Sequence, residues 1–199
     1  MKIYVCTGHA NYGDRISSAD GTSKGGCNEY LYNAQLLPFI KKWCDVAGVD
    51  CTIDTPKEGL LHSLTDEINY YCTRANAEKY DLVVQLHLNA FDGTANGMEV
   101  WIYKGNKKAK EYAKRITENL GAEWRNRGVK ESTSLYWLKR TVPTAILIES
   151  FFCDNATDYN IAKQLTLDEH AKLIVESIVN KKLKEDKKNG CKCNCKCCK

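Results

Sequence analysis

Apolar positions along this chain alternate between short continuous runs and longer stretches at helical spacing. Leu82-Val-Val-Gln-Leu-His-Leu88 is the clearest run and suits a strand buried on both faces. It closes on His87, just before a loop-forming segment, Asn89-Ala-Phe-Asp-Gly-Thr-Ala-Asn-Gly97. Similar runs predict strands over residues 3–7, 49–53, 97–103 and 144–149, the last introduced by Pro143. Between them, the spacing of Leu31, Ala34, Leu37 and Ile40 predicts a helix over 28–47. Asn28 is its N-cap, Gly48 ends it, and Pro38 is expected to kink or split it. Ser63-Leu-Thr-Asp66 resembles a capping box and opens a helix to about 79, with Ile68, Tyr71, Cys72 and Ala75 on one side. Ala109, Ala113, Ile116 and Leu120 mark an amphipathic helix over 106–124. Residues 135–139 read as a short strand or a turn, and 154–164 as helical. Thr166-Leu-Asp-Glu169 caps a last helix that turns Ala171, Ile174, Val175 and Ile178 to the core.

Strands alternating with helices imply right-handed βαβ units, hence an α/β fold: a single domain with a twisted, mostly parallel sheet and helices on both faces. The strand at 97–103 follows its predecessor without a helix, which leaves an antiparallel placement open for it. The loop over 8–26, with Gly13, Gly21, Gly25 and Gly26, is long for a compact domain, and such loops are often functional.

The length of 199 residues allows one sizeable core and argues against two full domains. No apolar run approaches the ~20 residues of a membrane helix, and the N-terminus enters a strand directly instead of a signal peptide. The expectation is synthesis in the cytoplasm with the N-terminus retained, and no membrane partner. Charge changes the picture at one end only. Residues 181–199 hold eight lysines against Glu185 and Asp186, whereas residues 1–180 carry 21 basic and 23 acidic side chains. The basic character belongs to a tail, so no nucleic-acid partner is expected. Cysteine divides likewise: six lie in the first 190 residues without close pairing, and five crowd into the last nine. The six are read as free buried thiols. The tail, 184–199, is expected to be disordered. Three uses compete for it: soft-metal binding, disulfide crosslinking, or attraction of its lysines to an anionic polymer, the last slightly preferred.

Strand ends are where ligands bind in such sheets. His9 follows the first strand, His87 ends the third, Glu149 ends the run at 144–149, and Glu29 lies in the first turn of the helix after strand one. If these strands are parallel, all four share one carboxyl edge. Each has an ordinary reading too. His9 could be a turn histidine, His87 a core one, Glu29 an acid suited to a helix N-terminus, and Glu149 half of a salt bridge with Arg140 or Arg74. Together, two imidazoles and a carboxylate suit a catalytic zinc site that leaves one position for water, and a second carboxylate could take that water's proton. His62 and His170 are read as solvated. Tyr136 and Trp137 could line a substrate groove or belong to the core.

Thr7-Gly8-His9, Asn28-Glu29, Leu86-His87-Leu88-Asn89-Ala90 and Ile148-Glu149-Ser150-Phe151-Phe152, followed by Asn155 and Asp158, form an ordered set. It resembles the zinc-dependent N-acetylmuramoyl-L-alanine amidases of the Amidase_3 type, a family that includes phage endolysins and bacterial autolysins. Arg74-Ala-Asn76 and Arg127-Gly-Val-Lys130 resemble further family segments. The likeness covers about residues 1–183, which it implies are the catalytic domain. It implies that His9, Glu29 and His87 hold one Zn²⁺ and that Glu149 is the acid–base. The implied substrate is peptidoglycan, cut between the lactyl group of N-acetylmuramic acid and L-alanine after the enzyme reaches the cell wall, and the implied partners of the lysine-rich tail are anionic wall polymers. Two departures stand out: Ala10-Asn-Tyr-Gly13 after the first histidine, and Cys27 two residues before Glu29, where a thiolate near the metal is conceivable. A zinc peptidase acting on another amide of the stem peptide, and a non-catalytic wall-binding protein, are the alternatives.

Overall fold

The computed structural model describes residues 1–184, so the expected tail lies outside the described residues, Lys184 apart. In chain order the elements are β1 (Lys2–Thr7), α1 (Glu29–Val46), β2 (Asp50–Asp54), α2 (Leu64–Asn76), β3 (Leu82–Asn89), β4 (Met98–Tyr103), α3 (Lys107–Leu120), β5 (Asn126–Ser132), α4 (Tyr136–Arg140), β6 (Ala145–Phe152) and α5 (Ala156–Val179). They build one six-stranded sheet in the order β2-β1-β3-β6-β4-β5. β1, β2, β3 and β6 are mutually parallel. β4 runs antiparallel to β6, and β5 runs with β4. The strand without a preceding helix thus runs antiparallel to its neighbour β6, β5 shares its direction, and β6 is inserted between β4 and β3.

Period-two alternation divides the strands between two cores. Leu82, Val84, Leu86, Ile146 and Ile148 face a large cluster with Leu36 and Ile40 of α1, Ala113 and Ile116 of α3, and Ile174 and Ile178 of α5. Val83, Ala145 and Leu147 point the other way, to Tyr71, Cys72 and Ala75 of α2 and Trp137 and Leu138 of α4. The sheet is thus covered on both faces, as parallel sheets must be. Among the described residues no helix is long and apolar enough to cross a membrane.

Several expectations need correction. Leu31 is 46% exposed, because the buried stripe of α1 runs through Tyr32, Leu36, Ile40 and Trp43 instead. Pro38 does not split α1. It sits on the exposed side, where the carbonyl that loses its donor can turn to water. Residues 135–139 contribute a short helix, anchored by the hydrogen bond from Trp137 Nε1 to the Ile146 carbonyl at 2.9 Å. β5 has no buried residue, so no apolar pattern announces it. It is an edge strand joined to the sheet through β4. Both capping boxes form. Ser63 Oγ accepts from Asp66 N at 3.1 Å, and Asp66 reaches back to the His62 N–H at 3.2 Å. Thr166 Oγ1 accepts from Glu169 N at 3.3 Å, and Thr166 leaves helical geometry (φ 62°, ψ 154°), so α5 is two helices joined at a kink. The six core cysteines are free and buried.

Candidate metal centre

β1 ends at Thr7, and the chain turns at Gly8, whose N–H bonds the Leu86 carbonyl at 3.0 Å. This hydrogen bond holds His9 beside the end of β3. The long loop then crosses to β6. The Cys27 N–H bonds the Cys153 carbonyl at 2.9 Å, and a Cβ on Gly21 or Gly26 would lie within 2.0 Å of that same carbonyl oxygen. Glycine is required there because backbone packs directly on backbone. Asn28 caps α1 through its side chain, which accepts from Leu31 N at 3.1 Å. Glu29 is consequently the first residue of the helix, where its carboxylate meets the positive end of the helix dipole.

The Glu29 carboxylate is the hub. Oε1 accepts from Leu88 N at 3.0 Å and lies 2.9 Å from His87 Nδ1. Oε2 accepts from Ala19 N at 3.2 Å and lies 3.4 Å from His9 Nε2. The two imidazoles stand edge to face with centroids 5.0 Å apart. One ligand atom from each of His9, Glu29 and His87 lies within 4.8 Å of the others, the only such group of three among the described residues. Burial alone would push Glu29 up, but the hydrogen bond with His87 and the positive character of both histidines hold it below the usual carboxylate range. Cys27 is not part of this group. It packs in the core, where burial and then the Glu29 charge push its thiol up to about 12.

Glu149 lies beside the group, not in it. β3 and β6 run three residues or fewer past the residues expected to end them, so His87 and Glu149 are inside their strands and in direct register. A β-bulge follows at once, between the His87–Glu149 and Asn89–Phe152 pairs, a common device for aiming side chains at a site. Neither Arg74 nor Arg140 reaches Glu149: Arg74 pairs with Asp54, and Arg140 bonds Asn69 Oδ1. Glu149 Oε2 is buried without a hydrogen-bond partner. Burial first, then the charges of Glu29 and Glu99, push its carboxyl well above the ordinary range. Such a group can hold a proton near neutrality, which a general acid requires.

The family model for Amidase_3, N-acetylmuramoyl-L-alanine amidase, matches residues 3–180. The chain belongs to the Amidase_3 family. Among solved structures, the catalytic domain of the CD27L endolysin targeting Clostridia difficile superposes with a TM-score of 0.86 and 40% identity, covering 92% of this chain and 99% of that one. An uncharacterized protein of Clostridium perfringens is 33% identical over 191 residues, 94% of this chain and 54% of its own length. The N-acetylmuramoyl-L-alanine amidase LytC of Bacillus subtilis is 27% identical over 176 residues, 85% of this chain and 33% of its own length. The chain thus spans about half the length of the Clostridium perfringens relatives it matches.

Within this Amidase_3 domain, the family-like motif residues divide between chemistry and scaffold. Asp158 is buried and accepts from the Gly97 and Phe152 N–H groups at 2.8 and 3.0 Å, locking α5 to the strand ends. Asn155 caps α5. Asn89 donates to Glu99 Oε1 at 3.1 Å, and Arg127 Nε pairs with Glu99 Oε2 at 2.9 Å. The sequence reading missed two residues. Glu67, buried on α2, receives Ser17 Oγ and faces His9 Nδ1 at 3.8 Å. Its only signal was an acid in the first turn of the helix, directly after the capping motif. His170, read as solvated, is in fact fully buried among Tyr32, Trp124 and Phe151, with Nδ1 3.0 Å from the Tyr32 hydroxyl. Its turn of α5 faces inward, and burial lowers its pKa to about 3. His62 is exposed, as expected.

Proposed function

We propose that residues 1–183 form a catalytic domain that hydrolyses the amide between the lactyl group of N-acetylmuramic acid and L-alanine, with His9, Glu29 and His87 holding one zinc ion. The observation that carries this reading is the cluster of two imidazole nitrogens and one carboxylate oxygen within 4.8 Å, next to a carboxylate that is no part of it. The donor set fits the ion: two imidazole nitrogens and one carboxylate oxygen would hold it and leave one coordination position open, as catalytic zinc sites do. Zinc supplies a Lewis acid there and brings the acidity of a water close to neutrality.

The chain's own residues do the rest. Glu29 is fixed by the Leu88 and Ala19 N–H groups, so its carboxylate cannot swing away from the two histidines. His9 has its second nitrogen turned to Ser17 and Glu67, at 3.5 and 3.8 Å, and such outer partners orient a ligand imidazole. Glu149 Oε2 takes the proton from the attacking water and delivers it to the leaving amine of L-alanine. Its partnerless oxygen and raised pKa support that role. The partner is peptidoglycan, and the place of action is the cell wall after release from the cytoplasm.

The test is purified protein, loaded with zinc, incubated with cell walls. A new free α-amine on L-alanine is expected. New termini inside the stem peptide would assign a peptidase instead, and binding without release would assign a wall-binding protein.

A further inference from the structure

A cavity of about 180 Å³ opens beside the histidines on the α2 and α4 side of the sheet. Leu147, Ile68, Tyr71 and Trp137 are among its walls, and His9 and His87 border it. Gln85 also lines it, two residues before His87 on β3 and therefore on the same side of the strand. The Gln85 side chain is 93% buried by its 7% relative exposure, yet its amide makes no hydrogen bond with any described residue. That amide is therefore free to bond a group that enters the cavity, and Glu67, whose Oε2 is buried without a hydrogen-bond partner, lines the same space. At the mouth stand Leu64 and Tyr136, 63% and 56% exposed, two large apolar surfaces that the described residues leave uncovered.

We infer that this cavity is the subsite for the N-acetyl group of the muramic acid residue, with Gln85 as its hydrogen-bonding partner. The inference rests on the amidase reading above and names what that site recognises. The occupant carries no negative charge, because Glu67 lines the cavity and no lysine or arginine among the described residues does. It combines an apolar end with an amide, because most of the walls are apolar, the Gln85 amide can donate and accept, and the Glu67 carboxylate on the same wall can accept from an N–H. It also lies close to the scissile bond, because the two histidines are part of the cavity wall. On muramic acid the acetamido group sits on the ring carbon next to the one that bears the lactyl ether, so it meets all three conditions. The sugar ring then covers Leu64 and Tyr136.

The experiment compares N-acetylmuramoyl-L-alanyl-D-isoglutamine with its de-N-acetylated form and with the acetylated D-glutamate analogue. The wild-type protein should favour the acetylated over the de-N-acetylated dipeptide by about 10-fold or more in kcat/KM, since a site built around a hydrogen bond rejects ligands that lack it. It should treat the isoglutamine and glutamate forms alike. Gln85→Leu, close to isosteric, should erase most of the acetyl preference while still hydrolysing both. The same ratio should appear in the dissociation constants measured by calorimetry in a Glu149→Gln background, independently of turnover. Equal rates on acetylated and de-N-acetylated substrates, an unchanged preference in Gln85→Leu, or a preference that follows the isoglutamine amide overturns the subsite. Zinc-loaded protein that cleaves none of them and leaves whole cell walls intact overturns the amidase reading, and this inference with it.

Discussion

His87 and Glu149 are direct partners across the parallel β3–β6 pair. Adjacent strands lie ~4.8 Å apart, and residues in register point to the same face. One candidate metal ligand and the candidate acid–base are therefore set side by side by the sheet itself, not by a loop. Glu149→Ala is expected to keep its zinc and fold while losing turnover by a factor on the order of 10²–10⁴. His9→Ala or His87→Ala should instead lose the metal. Zinc content of each purified variant, read with its rate of L-alanine amine release, checks both. Substantial wall lysis by Glu149→Ala would remove that residue from the mechanism.

Ser17, Glu67 and His9 form a chain of contacts that ends at the metal group. Outer partners of this kind set the orientation of a ligand histidine, and losing one typically costs 10–100-fold in metal affinity or activity. Glu67→Ala should weaken zinc binding by about that factor, measured by competition with a chromophoric chelator. Rates restored at saturating zinc would mark Glu67 as a positioning residue. Unchanged affinity would show that His9 needs no support from α2.

The strands that carry these residues were legible because they are buried on both faces and read as unbroken apolar runs. The βαβ alternation then brought His9, Glu29, His87 and Glu149 to one edge without any knowledge of distance. β5 was invisible for the converse reason: an edge strand with only half-buried and exposed positions has no pattern to read. Glu67 was hidden because its partner is distant in sequence: Ser17 and Glu67 are 50 residues apart. His170 was misjudged because its place in the first turn of the last predicted helix suggested a solvated side chain, while the packing of Tyr32 and Trp124 decided its burial.

Gly8 has no room for a side chain. A Cβ there would fall 1.9 Å from His87 Cε1 and 2.0 Å from its Nε2. The imidazole is the movable member of that clash, so Gly8→Ala should displace His87 instead of unfolding the chain. The expected result is a folded protein by far-ultraviolet circular dichroism with a large loss of zinc and activity. Full zinc content in that variant would mean that the backbone at Gly8 yields instead of the ring.

His170 makes an acid-sensitive core. Its pKa in the folded protein, lowered by burial from 6.5 to about 3, means that the folded chain refuses a proton the unfolded chain accepts. The sign follows from linkage: stability is full above the unfolded value of 6.5, falls as pH drops below it, and stops falling near pH 3, where the folded form also protonates. Within that window this one group removes up to ~1.4 kcal/mol per pH unit. His170→Gln stays neutral throughout and keeps an acceptor for the Tyr32 hydroxyl. It starts below the wild type at neutral pH, because ring packing against Trp124 and Phe151 is lost. The diagnostic is therefore the slope: denaturant midpoints measured from about pH 7.5 to about pH 4.5 should fall more steeply for the wild type than for the variant. Parallel slopes would show that acid unfolding is set by other groups, and that His170 takes up its proton without leaving the core.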